Sequence, residues 1–182
     1  MISSLRLLHL VEQVHDFCSL QIHIPDSLSD HLYNIRLQIP DDCINYDEDV
    51  GSAHFLADEH ITAFYGLDTN DIESIAHFMR GQKPFPVTIL GKTATFTNNE
   101  KFNVVVLPVT SQELVDLHYA LRKVVKKEPP TYKDFKPHTT IAYTKKDYKP
   151  VLQVPFTKFT FICEELQFCF KDECPIEIPV GV

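Results

Sequence analysis

Apolar and polar residues alternate along several short segments of the chain, a pattern that predicts β-strands. The segment 85–97 predicts either one long strand or two strands broken at Gly91. The segment 156–170 predicts one long strand or a hairpin. Simpler single strands are predicted at 17–24, 60–67, 102–110 and 138–146.

Apolar residues recur at helical spacing in other segments, which predicts helices at 5–14, 27–39, 71–82 and 111–127. Asp26 or Ser27 is the expected cap of the second of these helices, and Pro40 stops it. Ser111 is the expected cap of the last helix, whose end is rich in lysine. A Pro-punctuated loop is expected at 128–137.

The order of these elements predicts an α+β domain with helices on the outer faces of antiparallel sheets. Helices alternate with pairs of strands, and the order divides into two similar halves near residue 100. We therefore expect one domain over residues 1–182, in which residues 1–16 form an N-terminal extension without an assigned role.

Composition supports a globular protein and excludes two other classes. The chain has 182 residues, of which 44% are hydrophobic and 23% charged, so it is not predicted to be disordered. No apolar run approaches the roughly 20 residues that span a bilayer, and the N-terminus does not resemble a signal peptide. Five cysteines without close C-x-x-C spacing make a disulfide framework improbable, so a reducing cytoplasm is the expected compartment.

The net charge of −8 is unevenly distributed along the sequence. The stretch from Arg122 to Lys149 holds nine basic and three acidic residues, a balance of +6, so the remainder carries −14. A local positive field on an acidic body suits a small anionic ligand better than a nucleic-acid duplex. The same stretch is equally consistent with a solvated helix face and loop.

Each half of the chain contains one strand of the form H-x-T-x-x-Y, at 60–65 and 138–143. Residues i and i+2 of a strand point to the same face, so His60 projects with Thr62 and His138 with Thr140. The intervening residues Ile61, Ala63, Tyr65, Ile141 and Tyr143 are expected to face the helical layer. If the halves pack with twofold pseudosymmetry, two imidazoles and two hydroxyls surround one small volume.

A phosphodiester suits that volume. A neutral imidazole can act as a base on an attacking hydroxyl or water, and a protonated one can act as an acid on the leaving oxygen. The threonine hydroxyls can donate to the non-bridging phosphoryl oxygens, where charge develops. This chemistry requires no metal and no cofactor, and the sequence does not assign the acid and base roles.

The two H-x-T strands, their separation and the chain length resemble the two-histidine (2H) phosphoesterase superfamily. The resemblance implies a bilobal fold in which two antiparallel sheets form a central cleft. It also implies that His60 and His138 are the acid–base pair and that Thr62 and Thr140 bind phosphate. The segment HITAFYGL is similar to a phage branch that includes anti-CBASS phosphodiesterases, which degrade cyclic di- and oligonucleotide immune signals.

Further side chains are candidates for binding a small nucleotide. Phe64, Tyr132 and Phe135 could stack on nucleobases. Lys136 belongs to the basic stretch beside His138 and could contact phosphate. Glu164 and Glu165 could contact a base edge or orient a hydroxyl.

The leading hypothesis is therefore a metal-independent phosphodiesterase that cuts a cyclic di- or oligonucleotide signal, in a host cytoplasm if the chain is of phage origin. One alternative is an RNA 2′,3′-cyclic phosphodiesterase or 2′-5′ RNA ligase-like enzyme acting on short RNA ends. An alternative of another class is a catalytically silent nucleotide-binding sponge. The sequence leaves ring size, base identity and oligomeric state open.

Overall fold

The computed structural model describes residues 18–45, 59–67, 71–125, 134–170 and 175–181, which form nine strands and three α-helices. The helices are α1 (Asp26–Arg36), α2 (Ile72–Arg80) and α3 (Gln112–Leu121). The strands are β1 (Cys18–His23), β2 (His60–Leu67), β3 (Phe85–Leu90), β4 (Ala94–Phe96), β5 (Phe102–Thr110), β6 (His138–Lys145), β7 (Lys158–Cys163), β8 (Glu165–Cys169) and β9 (Ile176–Pro179).

All strand pairs in the described residues are antiparallel, which confirms the predicted α+β class. The strand order is β7-β3-β5-β6-β2-β1-β8-β9, and β4 pairs with β5. The two expected sheets are therefore continuous with each other, because β2 and β6 pair at the centre. The two H-x-T strands are these central neighbours.

The chain passes between the two halves of the sheet at places that the sequence did not indicate. The sequence was expected to divide into halves near residue 100. β3 and β4 precede that residue but pair with β5, so the chain enters the half of the sheet that contains β5 directly after α2. The segment 156–170 is neither the one long strand nor the hairpin that were its predicted alternatives. It forms two consecutive strands, of which β7 pairs with β3 and β8 pairs with β1 and β9. β9 itself was not predicted; it is a short edge strand in which Ile178 is buried.

The helices cover one face of the sheet and bury its apolar side chains. α1 packs against β6, α3 against β2, and α2 against β9. Ser111 accepts a hydrogen bond from the Leu114 amide at 3.2 Å, as predicted for a cap. The predicted cap of α1 is wrong, because Pro25 precedes a helix that already includes Asp26 and no side chain caps it.

Some predictions lie outside the described residues, namely the helix at 5–14 and the extension at 1–16. Of the two forms predicted for 85–97, the structure has two strands broken at Gly91, since β3 ends at Leu90 and β4 begins at Ala94. None of the helices within the described ranges is long and apolar enough to cross a membrane.

Gly91 allows a close backbone approach at this break. Its amide donates to the Thr157 carbonyl at 2.8 Å, and an added Cβ would overlap the carbonyl oxygen of Phe156. We expect Gly91→Ala to lower the free energy of unfolding by about 1–3 kcal/mol, because the backbone at Phe156 and Thr157 must move to admit the methyl group. Gly81→Ala is the matched control, since its Cβ would meet nothing closer than 3.6 Å. Urea unfolding of both variants checks this, and equal midpoints would contradict it.

Candidate active site

The two H-x-T motifs meet where β2 pairs with β6. The ladder between these strands is centred on Ile61 and Thr139. In an antiparallel pair this register sets His60 alongside Thr140 and Thr62 alongside His138. The imidazoles therefore occupy one diagonal of a four-residue group, with neighbouring Cβ atoms about 5 Å apart and diagonal ones about 7–8 Å apart.

The four motif side chains share one face of the sheet, here called the motif face. Ile61 and Thr139, between the motif residues, are fully buried on the other face, under the helices. The two histidines and two threonines are half-buried. The alternation expected from the sequence thus holds through each H-x-T triplet, and it brings all four predicted groups together.

Beyond each triplet the alternation changes, because both strands bulge directly after the threonine. Two consecutive residues of β1 pair with Thr62 and Phe64 of β2, so Ala63 has no partner in that ladder. In the same way, two consecutive residues of β5 pair with Thr140 and Ala142 of β6. The extra residues are Ala63 and Ile141. A bulge turns the following side chains to the opposite face from the one that strict alternation assigns.

Three predictions are wrong for this reason. Phe64 is 1% exposed and belongs to the core, so it cannot stack on a nucleobase. Tyr65, expected under the helices, is 47% exposed and shares the motif face with Thr62, since it pairs with Ser19 on that face of β1. Tyr143 likewise lies on the motif face, where its ring meets the edge of Phe102.

The imidazole of His138 is held in one tautomer and is partly shielded from solvent. Its Nδ1–H donates to the backbone carbonyl of Lys136 at 2.7 Å, which leaves Nε2 as the acceptor of the neutral ring. The ring of Phe96 packs edge-on against it, with centroids 4.9 Å apart. Burial lowers the pKa of His138 below its ordinary value of 6.5, although the Lys136 carbonyl acts in the opposite direction.

Phe135 lies on the helical side of the sheet. Its ring stacks on His118 of α3, with centroids 3.9 Å apart and planes 1° from parallel. One face of the ring is therefore covered by His118, and the role of Phe135 in nucleobase stacking stays a prediction that only its other face could fulfil. The same His118 donates from Nδ1 to the Ala63 carbonyl at 2.8 Å, and burial, with Arg122, lowers its pKa.

The other predicted binding residues are placed as follows. The Lys136 side chain is exposed, and its backbone carbonyl accepts the hydrogen bond from His138. Glu165 is exposed at the start of β8, on the motif face by its register with Gln167, and Glu164 is exposed just before that strand. Tyr132 lies outside the described residues. Lys146 of the basic stretch is engaged elsewhere, since its Nζ donates to the Thr97 and Asn99 carbonyls.

The surroundings of the motifs differ between the halves of the sheet, which sequence reasoning missed. A polar row runs from Thr62 across three strands through its register partners Gln21, Gln167 and Glu177. His23 pairs with His60 on the same face. Beside His138 the motif face is instead aromatic and apolar, with Phe96, Val104 and Tyr143 in register. The polar alternation S-x-Q-x-H in 19–23 was the available signal for the first set.

A family model identifies the superfamily of the chain. The model of the 2′-5′ RNA ligase superfamily matches residues 25–170. The chain belongs to this superfamily. The predicted resemblance to 2H phosphoesterases is thereby confirmed, whereas the phage branch is not singled out and stays a prediction. No curated protein sequence matches the chain.

Several solved structures share the fold at low sequence identity. TT0787 of Thermus thermophilus is 16% identical, with a TM-score of 0.62 over 91% of this chain and 98% of its own. LigT of Escherichia coli, solved with phosphate, is 14% identical, with a TM-score of 0.60 over 92% of this chain and 96% of its own. A structure described as a phosphoesterase is 13% identical, with a TM-score of 0.59 over 91% of this chain and 95% of its own.

The enclosure of His138 yields a prediction about its titration. We expect its pKa, followed by NMR of the imidazole, to lie below 6.5, because burial disfavours the charged ring. Phe96→Ala should raise that pKa toward the ordinary value by admitting water. A pKa at or above 6.5 in the unmodified protein would contradict the enclosure, and an unchanged pKa in Phe96→Ala would contradict the part assigned to Phe96.

Proposed function

We propose that this protein is a metal-independent phosphodiesterase that acts on a small nucleotide by acid–base catalysis with His60 and His138. The observation that carries the proposal is the register between Ile61 and Thr139, which sets the two H-x-T motifs side by side on one face. Membership of the 2′-5′ RNA ligase superfamily supports it independently.

His138 is proposed as the base and His60 as the acid. The Lys136 carbonyl accepts a hydrogen bond from Nδ1–H of His138, and the lowered pKa favours the neutral ring, whose Nε2 can accept a proton near pH 7. A diagonal placement sets the imidazoles on opposite sides of a bound phosphorus, as in-line displacement requires. The hydroxyls of Thr62 and Thr140, on the other diagonal, can donate to the non-bridging oxygens.

The proposed reaction at a 2′,3′-cyclic phosphate is hydrolysis by one water molecule. The oxygen of a water bonds to phosphorus while His138 takes its proton. The bond from phosphorus to one ribose oxygen breaks, and His60 protonates that oxygen. Proton transfers of this kind contribute about 10²–10⁴-fold to rate.

A nucleotide with a 2′,3′-cyclic phosphate or a 2′-5′ linkage is the first candidate substrate. LigT of Escherichia coli has been solved with phosphate, NADP⁺, ATP and 3′-AMP, so a protein of this fold accommodates such ligands. The aromatic surface beside His138 can receive a base, and the polar row across Gln21 and Gln167 offers amides for ribose hydroxyls or base edges.

A cyclic di- or oligonucleotide is the second candidate. The motif face extends over four strands on the side of His60, which leaves polar surface for another nucleotide. Cleavage would then proceed by attack of the adjacent 2′-OH, whose proton passes to the base. This step leaves a 2′,3′-cyclic phosphate and a 5′-OH, so both candidates share one chemistry.

Neighbouring threonines provide a matched test of the phosphate site. Thr140→Val should lower kcat/KM by about 10²–10³-fold, since a hydroxyl donor to the developing charge is lost. Thr139→Val should keep activity, because the Thr139 hydroxyl is buried under the helices and has no hydrogen-bond partner among the residues that the structure describes. His60→Ala and His138→Ala should each lose about 10²–10⁴-fold. The measurement is hydrolysis of 2′,3′-cyclic AMP, cyclic GMP-AMP and cyclic tri-adenylate in EDTA.

The same experiment separates the alternatives. In the unmodified enzyme kcat/KM should rise with pH through an ionisation below 6.5, that of His138, and fall once the general acid loses its proton. Tight binding of a nucleotide that is never cleaved would instead indicate a sponge. Equal losses in Thr139→Val and Thr140→Val would contradict the assignment of faces.

Two adjacent glutamates test whether the substrate contacts the motif face as far as β8. Glu165 lies on that face of β8, whereas Glu164 lies between β7 and β8. We expect Glu165→Gln to change KM about 3–10-fold with kcat nearly constant, since a rim contact contributes about 1 kcal/mol. Glu164→Gln is the control and should leave KM unchanged. The opposite ranking in steady-state kinetics would contradict this placement.

A further inference from the structure

The bulges after Thr62 and Thr140 are each held by a side chain from a helix. The Ala63 carbonyl accepts from Nδ1 of His118 at 2.8 Å, and the Ile141 carbonyl accepts from Nε of Arg36 at 2.9 Å. A bulged residue leaves the regular ladder, so its backbone groups need partners from elsewhere. The two helices supply them at equivalent positions of the two motifs.

Each of these two helix side chains binds the motif strand that is farther from its own helix in the sequence. Arg36 ends α1, which follows β1 in the chain, yet it reaches the bulge of β6. His118 lies in α3, which follows β5, yet it reaches the bulge of β2. Each motif is therefore supported by the helix that belongs to the other motif's half.

The contacts lie where the two central strands part. β2 and β6 pair at Ile61 and Thr139, and Ala63 and Ile141 are each two residues beyond that pair. Arg36 also lies 3.8 Å from the carboxylate of Glu59, which directly precedes His60, and both side chains are largely buried. One guanidinium thus contacts both motif strands.

We propose that Arg36 and His118 are positioning residues, which fix the two bulges and thereby aim the hydroxyls of Thr140 and Thr62 at the phosphoryl group. This inference rests on the proposed function. The bulged residue is bonded directly to each threonine, so a shift of its carbonyl moves the adjacent hydroxyl. A displacement of about 1 Å at a reacting centre can cost about 10²-fold in rate.

The chain permits a test with isosteric pairs. His118→Asn keeps an N–H donor near the position of Nδ1, whereas His118→Leu removes it. Arg36→Gln keeps a donor at the position of Nε, whereas Arg36→Met removes it. Arg80→Met is the control, since Arg80 also ends a helix but is exposed and belongs to α2, which packs against β9.

We expect His118→Leu and Arg36→Met to lower kcat about 10–100-fold with a smaller change in KM. The asparagine and glutamine variants should recover most of that loss, and Arg80→Met should behave as the unmodified enzyme. Thermal unfolding midpoints identify a temperature at which every variant is folded, and rates are compared there. If the donor-retaining and donor-lacking variants are equally impaired, the proposal is overturned.

Backbone NMR judges the inference independently of turnover. His118→Leu should shift the amides of Thr62 to Phe64 more than those of Thr140 to Ala142, and Arg36→Met should show the reverse. Unshifted amides in both variants would overturn the proposal. If the unmodified protein cleaves no diester while these shifts appear, the proposed function fails and the structural part of the inference stands.

Discussion

One antiparallel contact, between Ile61 of β2 and Thr139 of β6, is the constraint on which the site depends. Because side chains alternate along a strand, a slip of one residue would turn one motif under the helices. Both residues of the pair are fully buried, so packing of the core holds the register. Burial of the core on one face of the sheet and the grouping of the four motif side chains on the other are thus two results of one contact.

The bulges add a second dependence of the site on the core. Each bulge separates a backbone carbonyl from the regular ladder, and His118 and Arg36 satisfy these carbonyls from the helical layer. The His118 ring is half-buried between Phe64 and Phe135, and burial lowers its pKa. Its neutral form has one N–H, and the Ala63 carbonyl selects Nδ1 as the protonated atom.

Symmetric motifs lie in asymmetric surroundings. His138 faces Phe96 and an apolar surface, whereas His60 neighbours His23 and the polar row through Gln21. A low local polarity favours the neutral imidazole, and a polar surface offers hydrogen bonds to ribose and base. This difference provides a physical basis for the two distinct roles proposed for His60 and His138, and for the proposed binding of a nucleotide in one direction.

The sequence by itself determined the local structure and the chemical groups. Alternation predicted β2 and β5 with their observed bounds, and the repeated H-x-T identified the four side chains that the fold brings together. These features follow from residues two to four apart, whose geometry the backbone repeats in any context.

Only the tertiary structure decided what depends on partners far along the chain. The bulges at Ala63 and Ile141 arise from pairing with β1 and β5, so the burial of Phe64 and the exposure of Tyr65 did not follow from alternation. Phe96 reaches His138 across β5, from more than forty residues away. Strand partners and helix contacts are chosen by packing of the whole chain, and no local pattern records that choice.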